Sequence, residues 1–236
     1  MIRRTKEEVL PELPPKTRTI LQVDLDNLKD YRMAEEDFIS WLQGKDPSKA
    51  EKARRAPFLA QLAGLRKLSA MGKMAECLSW TENFLESGEK LLVGCCHTGV
   101  VKAFMDKFPG TLRMDGKTSP GLKQKNIDLF NGDRGSKLMV GNLKVLQGMN
   151  LHHQCSNMAI VELPMVPGFL DQAEDRLCRM GQARGVNINY LIAAGTVEER
   201  IMRLLDGKRE VLSQVLDGKE VESRSLLMEL MEEMRG

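Results

Sequence analysis

The chain has 236 residues, 42% hydrophobic and 29% charged, with 35 Lys plus Arg against 33 Asp plus Glu for a formal net charge of +2. This composition excludes a disordered, collagen-like or membrane-embedded chain, and the length is enough for a core that needs no disulfide or metal. The near-neutral total excludes a histone-like mass binder of nucleic acid, while a local phosphate-binding face depends on charge distribution and stays open.

No acidic or basic tail stands out, and no apolar run approaches the ~18 residues of a membrane span. The N-terminus, MIRRTKEEVLPELPPK, is charged and Pro-rich and lacks the apolar centre of a secretion signal. Cys77, Cys95, Cys96, Cys155 and Cys178 are odd in number and show no CxxC spacing, which fits reduced thiols in a cytosol-like compartment.

In chain order, residues 1–18 read as an extended connector, because Pro11, Pro14 and Pro15 bar helix. Residues 19–26 alternate apolar and polar like a strand. Residues 28–43 and 48–71 read as two helices broken at Gly44–Pro47, with Gly72 as a cap, and 73–87 as a third helix stopped by Gly88. From residue 90 the rhythm changes. Short apolar runs at 90–95, 137–141 and 158–163 suit buried parallel strands. Residues 111–114 and 186–193 add two more strands. Helices are expected at 98–108, 168–180 and 196–216, and at 119–131, where Ser119 is the N-cap and Pro120 the first position. A short amphipathic helix closes the chain at 223–234. Strands separated by helices predict an α/β fold with a doubly wound parallel sheet. The expected divisions are a connector at 1–18, a first strand and helical layer at 19–88, a core at 89–206 and a helical extension at 207–236.

The most informative stretch is Gln172-Ala173-Glu174-Asp175-Arg176-Leu177-Cys178-Arg179-Met180-Gly181-Gln182. On a helix, Arg176 and Arg179 share one face, with Gln172 one turn before. Two guanidiniums and an amide so placed can hold phosphate oxygens. A solvated face pairing the arginines with Glu174 or Asp175 is the alternative.

This string resembles motif VI of superfamily-two helicases in its Swi/Snf form, QAxDRxxRxGQ. Other stretches agree in order. Arg3-Arg4-Thr5-Lys6, Leu10-Pro11 and Leu13-Pro14-Pro15-Lys16 resemble the segment joining that family's two motor lobes. Lys90–Val93 with Cys95-Cys96-His97 stand at motif IV, and Asp115-Gly116-Lys117-Thr118-Ser119 is similar to the DG.TS turn. Gly141-Asn142 through Gly148-Met149-Asn150-Leu151 resemble motif V, and Tyr190–Ile192 with Gly195–Glu199 the elements after motif VI. The resemblance covers nearly the whole chain and is nearest to the annealing-helicase-like branch and its bacterial or phage relatives. It departs from the pattern in motif V, where Val145 and Leu146 replace small residues, and in motif IV, where Gly94-Cys95-Cys96 replaces the usual residues and His97 remains.

The resemblance is to the second, C-terminal RecA-like lobe alone. No G-x-x-x-x-G-K-[ST] phosphate loop is present: Gly116-Lys117-Thr118 supply its last three residues, but Thr111 stands at its first glycine. The resemblance therefore implies a RecA-like motor lobe of a double-stranded DNA translocase, inactive by itself. ATP and Mg would lie at the interface with a first lobe, in the same polypeptide or a separate chain. It implies Arg179 and Arg176 as arginine fingers, and Gln172, Gly148 and Asn150 at the nucleotide. His97, Thr98, Lys117, Thr118, Asn142 and Lys144 would meet the DNA backbone from loops at the strand ends. It also implies a cytoplasmic site in a bacterial or phage-infected cell, or a nuclear one in a eukaryote. The rival reading is a catalytically incomplete module that binds DNA or a partner.

His152, His153 and Cys155 form a weak metal cluster with no fourth ligand nearby, so no metal is expected. The Met228, Met231 and Met234 stripe reads as helix packing, as do Trp41 and Trp80. Two Trp and two Tyr are too few for a base-stacking platform.

Overall fold

The computed structural model describes residues 14–132, 135–151, 154–216 and 226–234. Six strands form one parallel sheet: β1 (Lys16–Val23), β2 (Leu91–Cys95), β3 (Leu112–Met114), β4 (Leu138–Asn142), β5 (Asn157–Ile160) and β6 (Val186–Ala193), in the spatial order β1-β6-β5-β2-β4-β3. The expected doubly wound α/β fold is the observed one.

Side-chain alternation along each strand separates two apolar layers. Leu91, Val93 and Cys95 of β2, with Leu138 and Val140 of β4, pack on α5 (Met74–Glu86) and α6 (Thr98–Lys107) through Met74, Cys77, Val100 and Phe104. Leu92, Met139, Met158, Ile188 and Tyr190 point to the opposite face. There they meet residues of a helical layer, α1 (Leu28–Glu36), α2 (Phe38–Lys45), α3 (Pro47–Ala53) and α4 (Pro57–Gly72), and of α7 (Pro120–Asn131), α8 (Leu143–Leu146), α9 (Pro167–Glu174) and α10 (Val197–Leu216). A last helix, α11 (Leu226–Glu233), buries Leu226 and Leu230 in the same core. Burial on both faces is why β2, β4 and β5 read as unbroken apolar runs.

Two glycines admit helix α8 onto the sheet. A Cβ on Gly94 would lie 2.6 Å from Leu143 Cδ2, and one on Gly141 would lie 2.8 Å from Leu146 Cδ2 and 2.7 Å from the Met114 carbonyl of β3. The main-chain contact makes Gly141 the stricter of the two.

Several expectations are corrected. β1 begins at Lys16, so the end of the 1–18 connector is strand, and residues 24–26 are not. The helix expected at 28–43 is two, broken at Asp37, whose carboxylate accepts Ser40 N–H at 3.0 Å and starts α2. The helix expected at 48–71 is also two, because Pro57 opens a new one. Gly72 is the last residue of α4 rather than its cap; it has no positive φ, and Lys73 takes the cap position. α8 was not expected at all. Residues 1–13, with all of the connector resemblance before Pro14, and His152 and His153 of the weak metal cluster lie outside the described residues, as do residues 223–225 at the start of the closing helix.

A buried ion pair ties the helical layer to the sheet. Lys73 is fully buried between α4 and α5, and its Nζ donates to Glu198 Oε2 at 2.5 Å and to the Leu191 carbonyl at 2.6 Å. Glu198 Oε2 also accepts the Ala193 N–H at 3.0 Å. One carboxylate thus joins the end of β6, the first turn of α10 and the helical layer.

Candidate functional site

In a parallel sheet all strand ends of one kind lie on one edge, and ligands bind beyond the carboxyl ends where the strand order switches direction. Here the switch lies at β2, between β4 and β5. The residues just past β2 are Cys96 and His97, and their main-chain N–H groups donate to Glu162 Oε2 at 2.7 and 2.8 Å. Glu162 follows β5 and is almost wholly buried. Its other oxygen meets His97 Nδ1. A carboxylate only accepts, so Nδ1 is the donor in this contact. Asn142, at the end of β4, donates to the Cys96 carbonyl at 2.7 Å and caps the Lys144 N–H at 3.0 Å.

Cys96, His97, Asn142 and Lys144 line a cleft of about 320 Å³ with Arg66, Leu143, Pro164, Met165, Val166 and Phe169, and Glu162 holds the first two from beneath the lining. Arg66 reaches in from α4 and donates to the Leu163 carbonyl at 2.6 Å. Lys144 lies over the Phe169 ring, 5.4 Å from its centre. The lining combines cationic and apolar side chains, with Lys144 set against Phe169. Burial, with Glu162 beside it, pushes the Cys96 thiol up to about 11, so Cys96 is a neutral lining group.

Burial alone would raise the Glu162 carboxyl, but hydrogen bonds from His97 and Cys96 outweigh it and hold the group below the usual carboxylate range. A depressed carboxyl stabilises the fold above its ordinary value of about 4.3 and loses that contribution as pH falls through the folded value. Glu162→Gln is therefore expected to be less stable than the native chain at neutral pH by about 1–3 kcal/mol. The difference should shrink at pH ~3.5, which urea denaturation at both pH values would show. An unchanged difference would refute this account of the carboxylate.

The expected backbone-contact residues fall at this edge, unequally. Thr98 and Lys117 are exposed. Thr118 is buried, and its hydroxyl is committed to the turn, bonding Asp115 Oδ1 at 3.1 Å and taking the Asp115 N–H at 3.2 Å. The Asp115–Thr118 turn thus shapes the presentation of Lys117 more than it offers the Thr118 oxygen. Glu162 and Arg66 were not singled out from sequence. A lone acid ending the apolar run MAIVEL was a usable signal for Glu162; Arg66, within a helix, carried none.

The motif VI arginines form a second group. α9 ends at Glu174, so Arg176 and Arg179 do not share a helix face as the spacing predicts. Beyond it the main chain tightens: Arg176 N–H bonds the Ala173 carbonyl at 3.1 Å, and Leu177 N–H bonds that of Glu174 at 3.0 Å. A turn through Gly181, with φ of 96°, follows. Gln182 is buried and pins this turn, donating to the Cys155 carbonyl at 2.9 Å. Arg179 is exposed and meets the Asn150 side-chain oxygen, while Arg176 Nε donates to the Gln172 carbonyl at 3.3 Å. The structure therefore brings Arg179 to Asn150 and Arg176 to Gln172. Gly148 is exposed, with open space where a Cβ would stand.

The carboxylate beside these arginines turns away from them. Glu174 is fully buried and accepts Lys16 at 3.0 Å, Arg18 at 2.7 Å and the Tyr190 hydroxyl. An Arg176 or Arg179 pairing with Glu174 is thereby excluded.

Among the described residues, no helix is long and apolar enough to cross a membrane, and no three His, Cys, Asp or Glu side chains gather as a metal set.

No protein-family model matches the chain. Curated relatives do. The chain is 28% identical over 232 residues to the human DNA annealing helicase and endonuclease ZRANB3, covering 93% of this chain and 20% of that protein. It is 31% identical over 220 residues to the SWI/SNF-related matrix-associated actin-dependent regulator of chromatin subfamily A-like protein 1 of Xenopus tropicalis, covering 91% and 23%. The chain thus spans about a fifth of the length of these relatives. Among solved structures, the C-terminal part of the Fun30 ATPase domain shares the fold with a TM-score of 0.67 at 18% identity, over 94% of this chain and 98% of that one.

Proposed function

Because this chain belongs to the Swi/Snf-type superfamily-two helicases, as their second RecA-like lobe, we propose that it is the C-terminal motor lobe of an ATP-dependent double-stranded DNA translocase. The observation that carries this reading is a pair of polar groups, the arginines of the second not being among the residues that line the first. One is the cleft past β2 and β4; the other is the arginine turn beside Asn150.

The nucleotide is proposed to lie between this lobe and a first RecA-like lobe, with Mg²⁺ held by the latter. The residues here suit a phosphate. Arg179 meets a neutral amide, so its charge is not neutralised there, and the space above Gly148 is open. Bound ATP supplies a γ-phosphoryl group whose transfer to water builds charge on oxygen. Arg179 would place its guanidinium against that charge, and Arg176 would orient the same phosphate. Gln172 and Asn150 hold the two arginines in the resting lobe and would release them to the nucleotide on lobe closure.

At the strand-end edge, His97, Thr98, Lys117, Asn142 and Lys144 would hold backbone phosphates, which position the duplex without reading sequence. Thr118 would serve by fixing the Lys117 turn. Closing and opening of the lobes would move this edge along the backbone.

The deciding experiment mixes the chain with a first RecA-like lobe of the same family and measures ATP hydrolysis with and without duplex DNA. Stimulation is expected; its absence at saturating lobe would refute the motor reading and leave a non-catalytic binding module. For the DNA edge, Lys117→Ala with Lys144→Ala should weaken duplex binding by the chain about tenfold and reduce the salt slope by nearly 2. An unchanged slope would exclude the two lysines as phosphate contacts.

A further inference from the structure

The total of +2 conceals a local concentration. Lys45 to Lys67 holds seven basic residues, Lys45, Lys49, Lys52, Arg54, Arg55, Arg66 and Lys67, against Asp46 and Glu51. That segment is +5 in a chain of +2, so the rest is net −3. It spans the end of α2, all of α3 and the first two-thirds of α4, within the helical layer.

The arrangement of this charge is directional. α4 contains no acidic residue over its 16 positions. Its C-terminal half stands at the cleft: Arg66 lines it, and Met71 lies against Gly99 in the first turn of α6. Leu59, Ala63, Lys67 and Met71 recur at four-residue spacing and are all exposed, so they form one solvent-facing ridge. The ridge leads back from the cleft to Arg54 and Arg55, just before α4. Lys52, Arg54 and Arg55 are exposed. Lys45 and Lys49 are matched by Asp30 and Asp46, and Arg54 is 3.9 Å from Glu51. Among the described residues no ion pair engages Lys52, Arg55 or Lys67.

We propose that this ridge of the helical layer is a second duplex-contacting surface, continuous with the cleft through Arg66, which holds backbone phosphates of double-stranded DNA beyond those at the strand ends. The inference rests on the DNA reading of the cleft and extends it. From Pro57 to Lys67 an α-helix rises about 15 Å, which is four to five base pairs at ~3.4 Å each. The surface should therefore act only on duplexes that run well past the cleft. Surface cations with no carboxylate partner (Lys52, Arg55, Lys67), or with one long and exposed pair (Arg54), suit this task, since each can release a counterion from the backbone at little cost in internal bonds.

The test uses the full chain, fluorescently labelled duplexes of about 10 and about 20 base pairs, and the variant Lys52→Gln, Arg54→Gln, Arg55→Gln, with binding followed across salt concentrations. All three side chains are exposed, so the variant should match the native chain in circular dichroism and melting. On the longer duplex it is expected to bind about tenfold more weakly, with a salt slope lower by 2 to 3. On the shorter duplex it should bind as the native chain does. Equal slopes on the longer duplex, with the Lys117 and Lys144 variant still weakened on both, would overturn the ridge and leave the cleft standing. No binding of either duplex by the native chain would overturn the cleft reading and the ridge with it. A variant that loses binding of polyglutamate but not of duplex would make the ridge a site for acidic polypeptide and overturn the proposal.

Discussion

Arg179→Ala is expected to lower DNA-stimulated ATP turnover by about a thousandfold or more, in this chain joined to or mixed with a first RecA-like lobe, while duplex affinity stays unchanged. The size follows from what a guanidinium does when phosphoryl-transfer charge peaks, an effect worth ~10³–10⁵ in rate. The separation of effects follows from geometry. Arg179 sits on the turn after α9 with Asn150 as its partner, away from the cleft lined by His97, Asn142 and Lys144. Removing it disturbs no buried contact, since the side chain is exposed. Asn150→Ala offers a control, because it removes the resting partner and leaves the guanidinium in place. It should cost far less than Arg179→Ala. Retained turnover in Arg179→Ala, measured by phosphate release at saturating ATP and DNA, would remove Arg179 from the chemistry.

Lys73→Met is expected to lower stability by about 3–5 kcal/mol. The ammonium is buried with its charge matched by Glu198, and removing it strands that carboxylate against the end of β6. Breaking one half of a buried pair is costlier than replacing both halves by apolar groups. The double variant Lys73→Met, Glu198→Leu is therefore expected to recover part of the loss. It will not recover all, because Glu198 also satisfies the Ala193 N–H. For a domain of this size the single change amounts to a melting shift on the order of 10 °C. Calorimetry of the three chains tests this, and a single variant as stable as the native chain would show the pair to be neutral.

The sheet was legible because strands buried on both faces leave no polar face to confuse the pattern: MAIVEL, KLMVG and KLLVGC could be little else. Helix boundaries were less so. The break at Asp37 and the start at Pro57 carried local signals, a side-chain cap and a first-turn proline, which lay inside longer stretches of helical spacing. The end of α9 carried none. Nothing in DQAEDRLCRM marks Glu174 as its last residue; the helix stops because the carboxylate is drawn under Lys16, Arg18 and Tyr190. The pairings with Lys16 and Arg18 join residues over 150 positions apart, and no local rule reaches so far. The strand-end residues were found because a parallel sheet fixes which loops share an edge. Arg66 was not, because it comes to the cleft from the helical layer, whose packing onto the sheet is a tertiary event.

The Glu174 contact also decides how the lobe carries load. Lys16 and Arg18 open β1, which is paired with β6 along its whole length from Lys16 to Val23. A pull on the chain entering β1 runs along the strand, so the ladder is loaded in shear, with all its bonds resisting together instead of one after another. Glu174 bolts that strand sideways to the root of the arginine turn. Traction on the N-terminal side of the lobe therefore reaches the residue at which α9 ends and the arginine turn begins.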